Sequence, residues 1–462
     1  MFAKIKNKFD QLCAYMDSDV FTGRQILGIY LPLAGEQLFF ALVSMVSTGF
    51  IAGEGEAALA AVNMINVSNQ MFQQICVSFG VGATVVVSQY TGARNPALAT
   101  RTQQQAMSIA LTVGILLTTV LYLIREYSVG FFLGGAPADV TELALIYFVG
   151  VIFSFPFLAF NQAFIGSMRG RGRTKVSLMM SMTINLSEIG FCYVFIVLMK
   201  MGVAGLAASL VAARFTASVL ASIYLIIHRH DLGLKLANFF ILSFSILRGL
   251  ILVSVPVALE SIFFSSGKAL TQRFITGYGT AHMAANAFQQ VVQSFTIGPT
   301  GALGQATMAI SGMCLGRERV DLSREYAKKF LRLALALSAL IVIPAVPMTF
   351  LLIRLYGITG EARTISLICV GLIFAGTPAF MGRSSIMSSV LRSGGDATYT
   401  SMASLASMWC FRVVIAYVCT TYIRWGAPGI ILAMVLEWGA RGTFFTLRFR
   451  TEKWYQHKVI VR

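Results

Sequence analysis

The chain has 462 residues, of which 56% are hydrophobic and only 12% charged, with a net charge of +17. A soluble domain carries about 25% charged residues, so a water-soluble fold is excluded, and recurring apolar runs of bilayer-spanning length indicate an all-α integral membrane protein. The positive charge gathers in loops on one side of the expected membrane, which excludes a nucleic-acid footprint, and runs such as Leu111 to Ile124 lack the alternation of a transmembrane barrel strand.

In chain order, residues 1–24 read as a cytoplasmic interfacial segment. It is polar and mixed in charge, with Phe2, Ile5, Phe9, Leu12, Cys13 and Met16 at helical spacing. No cleavable leader is expected. Twelve transmembrane helices follow, at 25–51, 57–89, 102–124, 138–168, 175–199, 202–228, 247–275, 281–314, 325–355, 362–391, 398–422 and 426–447. A cytoplasmic loop over 229–246 separates an N-lobe (25–228) from a C-lobe (247–447), and a basic cytoplasmic tail covers 448–462. Most of the 36 Lys and Arg lie on one side, among them Lys4, Arg169, Arg171, Arg173, Arg317, Arg319, Lys328 and Arg448, whereas Arg125, Lys200, Arg354, Arg363 and Arg424 lie on the other. The positive-inside rule then places both termini in the cytoplasm, with the chain a multi-pass protein of a bacterial inner membrane.

The second six spans repeat the first. Pro32-Leu-Ala-Gly-Glu36 recurs as Pro256-Val-Ala-Leu-Glu260. Phe50-Ile-x-Gly53-x-Gly55-x-Ala57 recurs as Phe274-Ile-x-Gly277-x-Gly279-x-Ala281, and Asn63, Asn66 and Gln70 recur as Asn286, Gln289 and Gln293. Further on, Ile152-Phe153…Pro156 matches Ile373-Phe374…Pro378, and Met168-Arg169-Gly170 matches Leu391-Arg392-Ser393. Because each half has an even number of spans, the halves form a parallel internal repeat: two six-helix lobes around a central cavity.

Four acids fall well inside spans: Glu36, Glu188, Glu260 and Glu437. A carboxyl at membrane depth is costly to charge, so it reads first as a site for a proton or cation and second as half of a structural ion pair. Glu260 is the first candidate: it lies about 16 Å into its span, near the expected midplane, beside a helix-kinking Pro256. Thr271 shares its helical face, and Lys268 is offset from it. Glu36 is its counterpart, with Ser47 on the same face; Glu188 lies one turn from Asn185. The stripes Asn63, Asn66, Gln70 and Asn286, Gln289, Gln293 read either as cavity lining or as helix-to-helix hydrogen bonds. Glu437 and Arg441, four residues apart, read as a structural charge pair, and Arg383 is placed to meet Glu260 across the lobe. The seven cysteines are scattered without a CxxC, and no His, Cys or acid cluster has metal-ligand spacing, so no cofactor or resident metal is expected apart from a coupling ion.

Several of these short motifs together resemble the multidrug and toxic compound extrusion (MATE) family. They are Glu36-Gln37-Leu38, Ser88-Gln89-Tyr90-x-Gly92, the Arg-Gly-x-Gly run at 169–172, Ala284-Ala285-Asn286, Met408-Trp409-x-x-Arg412 with Ala416-Tyr417, and Glu437-Trp438-x-x-Arg441. The resemblance spans the whole chain and implies export of organic, cationic amphiphilic compounds in exchange for H⁺ or Na⁺ by alternating access. It also implies that Ser47 stands where the family usually carries Asp, and that Glu188 and Cys192 stand where it commonly carries Asn and Asp. Either the first-lobe cation site is rebuilt around Glu36 and Glu188, or coupling has moved to Glu260; the second is favoured. The expected partners are a small-molecule substrate and the bilayer, with no nucleic acid, and the chain is expected to be monomeric. A flippase or exporter of lipid-linked or zwitterionic metabolites is the alternative within the same superfamily. An integral membrane enzyme would need clustered His, Asp or Cys near one membrane face, which the sequence lacks.

Overall fold

The computed structural model describes residues 10–52, 56–133, 137–235, 237–241, 243–457 and 459–460, with the side chains at 41–52, 56–57, 59, 67 and 131–133 outside that description. Among the described residues the regular structure is entirely helical. Twelve long segments follow one another: α1 (Gly23–Ala52), α2 (Glu56–Gly92), α3 (Pro96–Leu123), α4 (Ala138–Phe153 and Phe155–Gly170, bent), α5 (Thr174–Leu198), α6 (Gly202–Ile227), α7 (Phe244–Thr276), α8 (Thr280–Gly316), α9 (Val320–Leu355), α10 (Gly360–Ser393), α11 (Ala397–Thr421) and α12 (Gly426–Arg450). Nine of these are long and apolar enough to cross a membrane, and the bent pair α4 makes a tenth. The long helices α1 and α8 complete the twelve; α8 is diluted by Asn286, Gln289, Gln290, Gln293 and Gln305.

The helix irregularities have sequence causes. Pro156 lacks an amide hydrogen, and α4 bends by 41° at Ser154 just before it. In the matching part of α10 the proline stands four residues after Phe374 rather than three, and a π-helical turn occupies Thr377–Met381. A second π turn covers Ser407–Val413 in α11, and a third covers Tyr193–Leu198 in α5. Such turns widen a helix locally and are frequent at functional sites.

Packing divides the chain differently from the repeat. One compact unit contains residues 1–38 with 259–458; the other contains 39–258 with 459–462. The helices α1 and α7 therefore each begin in one unit and end in the other.

In the first of these units, Met16, Phe21, Ile26, Ile29 and Leu33 are buried in a core with Leu303 of α8, Tyr326 and Phe330 of α9, Met387 of α10 and Phe445 of α12. Met16 is fully buried there, so this part of the N-terminal segment packs on protein, where a purely interfacial helix would turn its apolar face to lipid. The Tyr326 hydroxyl donates to the Met16 carbonyl (3.2 Å) and bonds Ser18 Oγ (2.7 Å). The basic tail is tied down as well: Trp454 is fully buried in the same core, and Asp396 binds Arg448 at 2.6 Å.

In the other unit α2 and α4 cross closely through small residues. Thr84 Oγ1 of α2 donates to Gly166 O of α4 at 3.0 Å, and a Cβ on Gly166 would run into the carbonyl oxygen of Gly80. Close backbone approach of this kind is how helices associate where lipid supplies no hydrophobic drive. Connector residues are held by amides of α3: Gln104 and Gln105 donate to the carbonyls of Lys235 and Ile241, both at 2.8 Å.

Candidate functional site

Glu260 is buried in the middle of α7. Its Oε2 accepts from Arg392 Nη2 at 2.7 Å and from Ser401 Oγ at 2.9 Å. Arg392 is the penultimate residue of α10, and Ser401 lies on the opening turns of α11. Arg392 is oriented by a further bond from its Nε to Thr400 Oγ1 (3.3 Å), and the repeat preserves that brace: Arg169 Nε donates to Ser177 Oγ at 3.0 Å, again eight residues on. Two readings of the sequence need correction here. The ionic partner of Glu260 is Arg392, whereas Arg383 is exposed beside Gly442. Glu260 also meets α10 and α11 at their ends, next to the Gly394-Gly395 turn, and not at their midpoints. Helix α7 is 33 residues long, against the roughly 20 needed to cross a bilayer, so depth counted from its expected start is misleading.

A second charged cluster in the same unit occupies the middle of α12. Glu437 is fully buried, 11 residues from Gly426 and 13 from Arg450. Its Oε1 accepts from Ser407 Oγ at 3.3 Å and lies 3.3 Å from Arg441 Nε in an ion pair, so the predicted pair is present. The Arg441 Nε–H itself donates to Ser384 Oγ at 2.7 Å. Lys268 and Arg412 interact electrostatically with the same group. The Lys268 ammonium and the Arg441 guanidinium both lie 5.5 Å from the centroid of the Phe264 ring. Arg412 is buried within the π turn of α11, and its Nε has no hydrogen-bond partner among the described residues. Lys268 therefore belongs to this cluster and not to Glu260.

In the other unit, Glu188 on α5 faces Arg214 on α6 electrostatically, with Tyr147 of α4 nearby. Arg214 is 5% exposed and donates from Nη1 to Ser154 Oγ at 2.5 Å, at the bend of α4. The Tyr147 hydroxyl donates to Asn66 Oδ1 at 3.0 Å, and Asn185 Nδ2 to the Ser181 carbonyl at 2.6 Å. Cys192, where the resemblance implies Asp, is buried with its Sγ 3.1 Å from Ser209 Oγ. The expected first-lobe cation site is thus a carboxylate with an arginine opposite. Glu36 is buried, but it packs with the unit containing Glu260, and the Ser47 side chain lies outside the described residues.

The polar stripes divide. Asn63 and Gln70 of α2 are exposed. On α8, Asn286 and Gln289 are buried: Asn286 Nδ2 donates to Gln272 Oε1 (3.0 Å), and Gln289 Nε2 to Gln293 Oε1 (2.8 Å). The first bond ties α8 to α7, the second runs along α8 itself, and burial leaves Asn286 and Gln289 no cavity surface. Thr271 is likewise buried, its hydroxyl spent on the Lys268 carbonyl at 2.9 Å. The residues that sequence reasoning missed are Arg392, Ser401 and Arg214. Arg214 carries a readable signal, a lone cation in the apolar run 202–227, but attention to buried acids passes over it. No group of three or more metal-ligating side chains occurs among the described residues.

The model of one protein family, MatE, matches residues 32–194 and again 256–418, one match in each half of the repeat. The chain is similar to a probable multidrug resistance protein NorM of Thermotoga maritima, 23% identical over 450 residues that cover 95% of this chain and 94% of that one. It is also similar to the uncharacterized transporter YisQ of Bacillus subtilis, 24% identical with 92% and 93% covered. Among solved structures, a MOP superfamily transporter from Pyrococcus furiosus superposes with a TM-score of 0.84 at 18% identity, covering 92% of this chain and 94% of that one. An outward-facing MATE transporter of the same superfamily gives a TM-score of 0.82, again at 18% identity with 92% and 94% covered.

Proposed function

The chain belongs to the MatE family of membrane transporters, and from that premise we propose that it is a secondary antiporter that exports amphiphilic organic compounds in exchange for protons by alternating access. The observation that carries the proposal is the bonding of Glu260. A buried carboxylate held by Arg392 and Ser401 can be released in one step, because a proton on Oε2 removes the charge that Arg392 is paired with. Proton binding and loss of the α7–α10 ion pair are then the same event, which is the bistable contact a coupled carrier needs. The same geometry favours H⁺ over Na⁺. Sodium wants several oxygen ligands, and here a guanidinium stands where further oxygens would have to be.

The multidrug resistance proteins among the relatives support organic amphiphiles as the exported class. The Pyrococcus furiosus transporter is described as having a binding pocket of reverse polarity that suggests a different function, so the sign of the exported charge is set by each protein's own cavity. The loop charges support an orientation with both termini in the cytoplasm, and the bacterial relatives support a bacterial inner membrane. Purified protein in proteoliposomes, given a pH gradient or a sodium gradient separately, tests the reading. Dye export that follows the pH gradient and ignores the sodium gradient supports it. Export driven by sodium alone, or channel-like flux that does not saturate, would overturn it.

A further inference from the structure

The charged cluster on α7, α11 and α12 has the wrong sign for a cation. Lys268, Arg412 and Arg441 stand around one carboxylate, Glu437, which leaves two positive charges uncompensated. Both oxygens of Glu437 are deeply buried; one is shared between Arg441 and Ser407, and the other has no hydrogen-bond partner among the described residues. Arg441 is paired with Glu437 and donates from Nε to Ser384 Oγ. Lys268 and Arg412 have no such bonds: among the described residues neither cationic group makes a hydrogen bond. Arg412 is more than nine-tenths buried, while the Lys268 side chain is exposed and so reachable.

Unpaired cations at membrane depth are expensive, and a structure that retains two of them without hydrogen bonds has left room for an anion. The surroundings also suit a particular kind of anion. Phe264 presents its ring to both Lys268 and Arg441. Gly267 brings Met408 of the α11 π turn up against α7, since a Cβ there would meet Met408 Cε at 2.6 Å. Aromatic and thioether surface beside convergent cations suits an apolar body with an acidic head.

We propose that Lys268 and Arg412, framed by Phe264 and Met408, bind the acidic head of the exported compound, so that the substrate is an organic anion with an apolar body. The proposal rests on the transport reading given above and fixes its substrate class. Glu437 then serves to hold Arg441 and Arg412 in place and to keep the cluster from exceeding the charge that one acidic head can neutralise.

Two probes of opposite charge decide it: carboxyfluorescein as the organic anion and rhodamine 6G as the cation. Binding to purified protein is measured by fluorescence anisotropy for wild type, Lys268→Gln, Lys268→Arg and a control, Arg363→Gln, which removes an exposed cation elsewhere. Wild type should bind carboxyfluorescein saturably. Lys268→Gln should weaken that binding by about tenfold, as loss of a charge-assisted contact does, with Lys268→Arg restoring most of it and Arg363→Gln leaving it unchanged. Lys268 is chosen because its exposed side chain can be changed without opening the core, whereas Arg412 is buried. Wild-type affinity in Lys268→Gln, or binding of rhodamine 6G but not carboxyfluorescein, overturns the proposal. A parallel export assay keeps the two readings apart. Lys268-dependent binding without proton-driven export of carboxyfluorescein would sink the transport reading and leave the anion site standing. Export of rhodamine 6G alone would do the reverse.

Discussion

Glu260 can be found by eye, because Pro-x-x-x-Glu occurs at the same place in both halves of the chain. Its partner cannot be found that way. Arg392 and Ser401 are 132 and 141 residues away; position in the span points to Arg383, and nearness along α7 to Lys268, and the fold sends both elsewhere. The pairing has a direct energetic consequence. Removing Arg392 leaves a buried carboxylate without its cation, which costs about 3–5 kcal/mol. Arg392→Ala should therefore lower the unfolding midpoint of the detergent-solubilised protein markedly, and adding Glu260→Gln to it should restore most of the loss. Full additivity of the two substitutions would mean the ion pair contributes nothing. The same argument applies to Arg214, whose charge faces Glu188 and whose Nη1 holds Ser154. Arg214→Leu should destabilise more than Glu188→Gln, because it orphans both partners, and thermal unfolding of the two variants checks the order.

At the level of helices, hydropathy gives the spans, but it does not give their irregularities. The extra residue between Phe374 and Pro378 is visible once the repeats are aligned, and the π turn at Thr377–Met381 falls there. No comparable signal marks the π turn that carries Arg412. The polar stripes show a different limit. Asn, Gln and Thr spaced along one face read equally well as cavity lining or as helix-to-helix bonding, and only the fold separates exposed Asn63 and Gln70 from buried Asn286 and Gln289. Glycines are similarly silent in sequence. Gly166 and Gly80 allow α2 and α4 to touch backbone to backbone, so Gly166→Val should overpack the crossing at about 1–3 kcal/mol. A lowered melting midpoint for that variant, with Gly130→Val as a control in a short helix where a Cβ has open space, tests the crossing.

For the molecule as a whole, duplication was legible and the packing boundary was not. The repeat suggests two six-helix halves, whereas the described residues up to 38 pack with those from 259 to 457 and form one unit apart from 39–258. The cause lies in long-range burial that local pattern does not encode: Met16, Ile26 and Leu33 fill a core with residues of α8, α9, α10 and α12. Trp454, in what reads as a solvated basic tail, closes the same core with no exposed surface. Trp454→Ala should cost about 3–5 kcal/mol, in the range of large aromatic deletions, and unfolding of a chain truncated before residue 451 should show a similar loss. Coupling, finally, belongs to the molecule and not to one helix, since a carrier must move its substrate only when the ion site changes state. Proteoliposomes containing wild type or Glu260→Gln, assayed both for export driven by a pH gradient and for substrate exchange at equilibrium without one, measure this directly. Glu260→Gln should lose gradient-driven export by about tenfold or more while keeping exchange. Gradient-driven export at the wild-type rate would contradict the assignment of Glu260 as the coupling group.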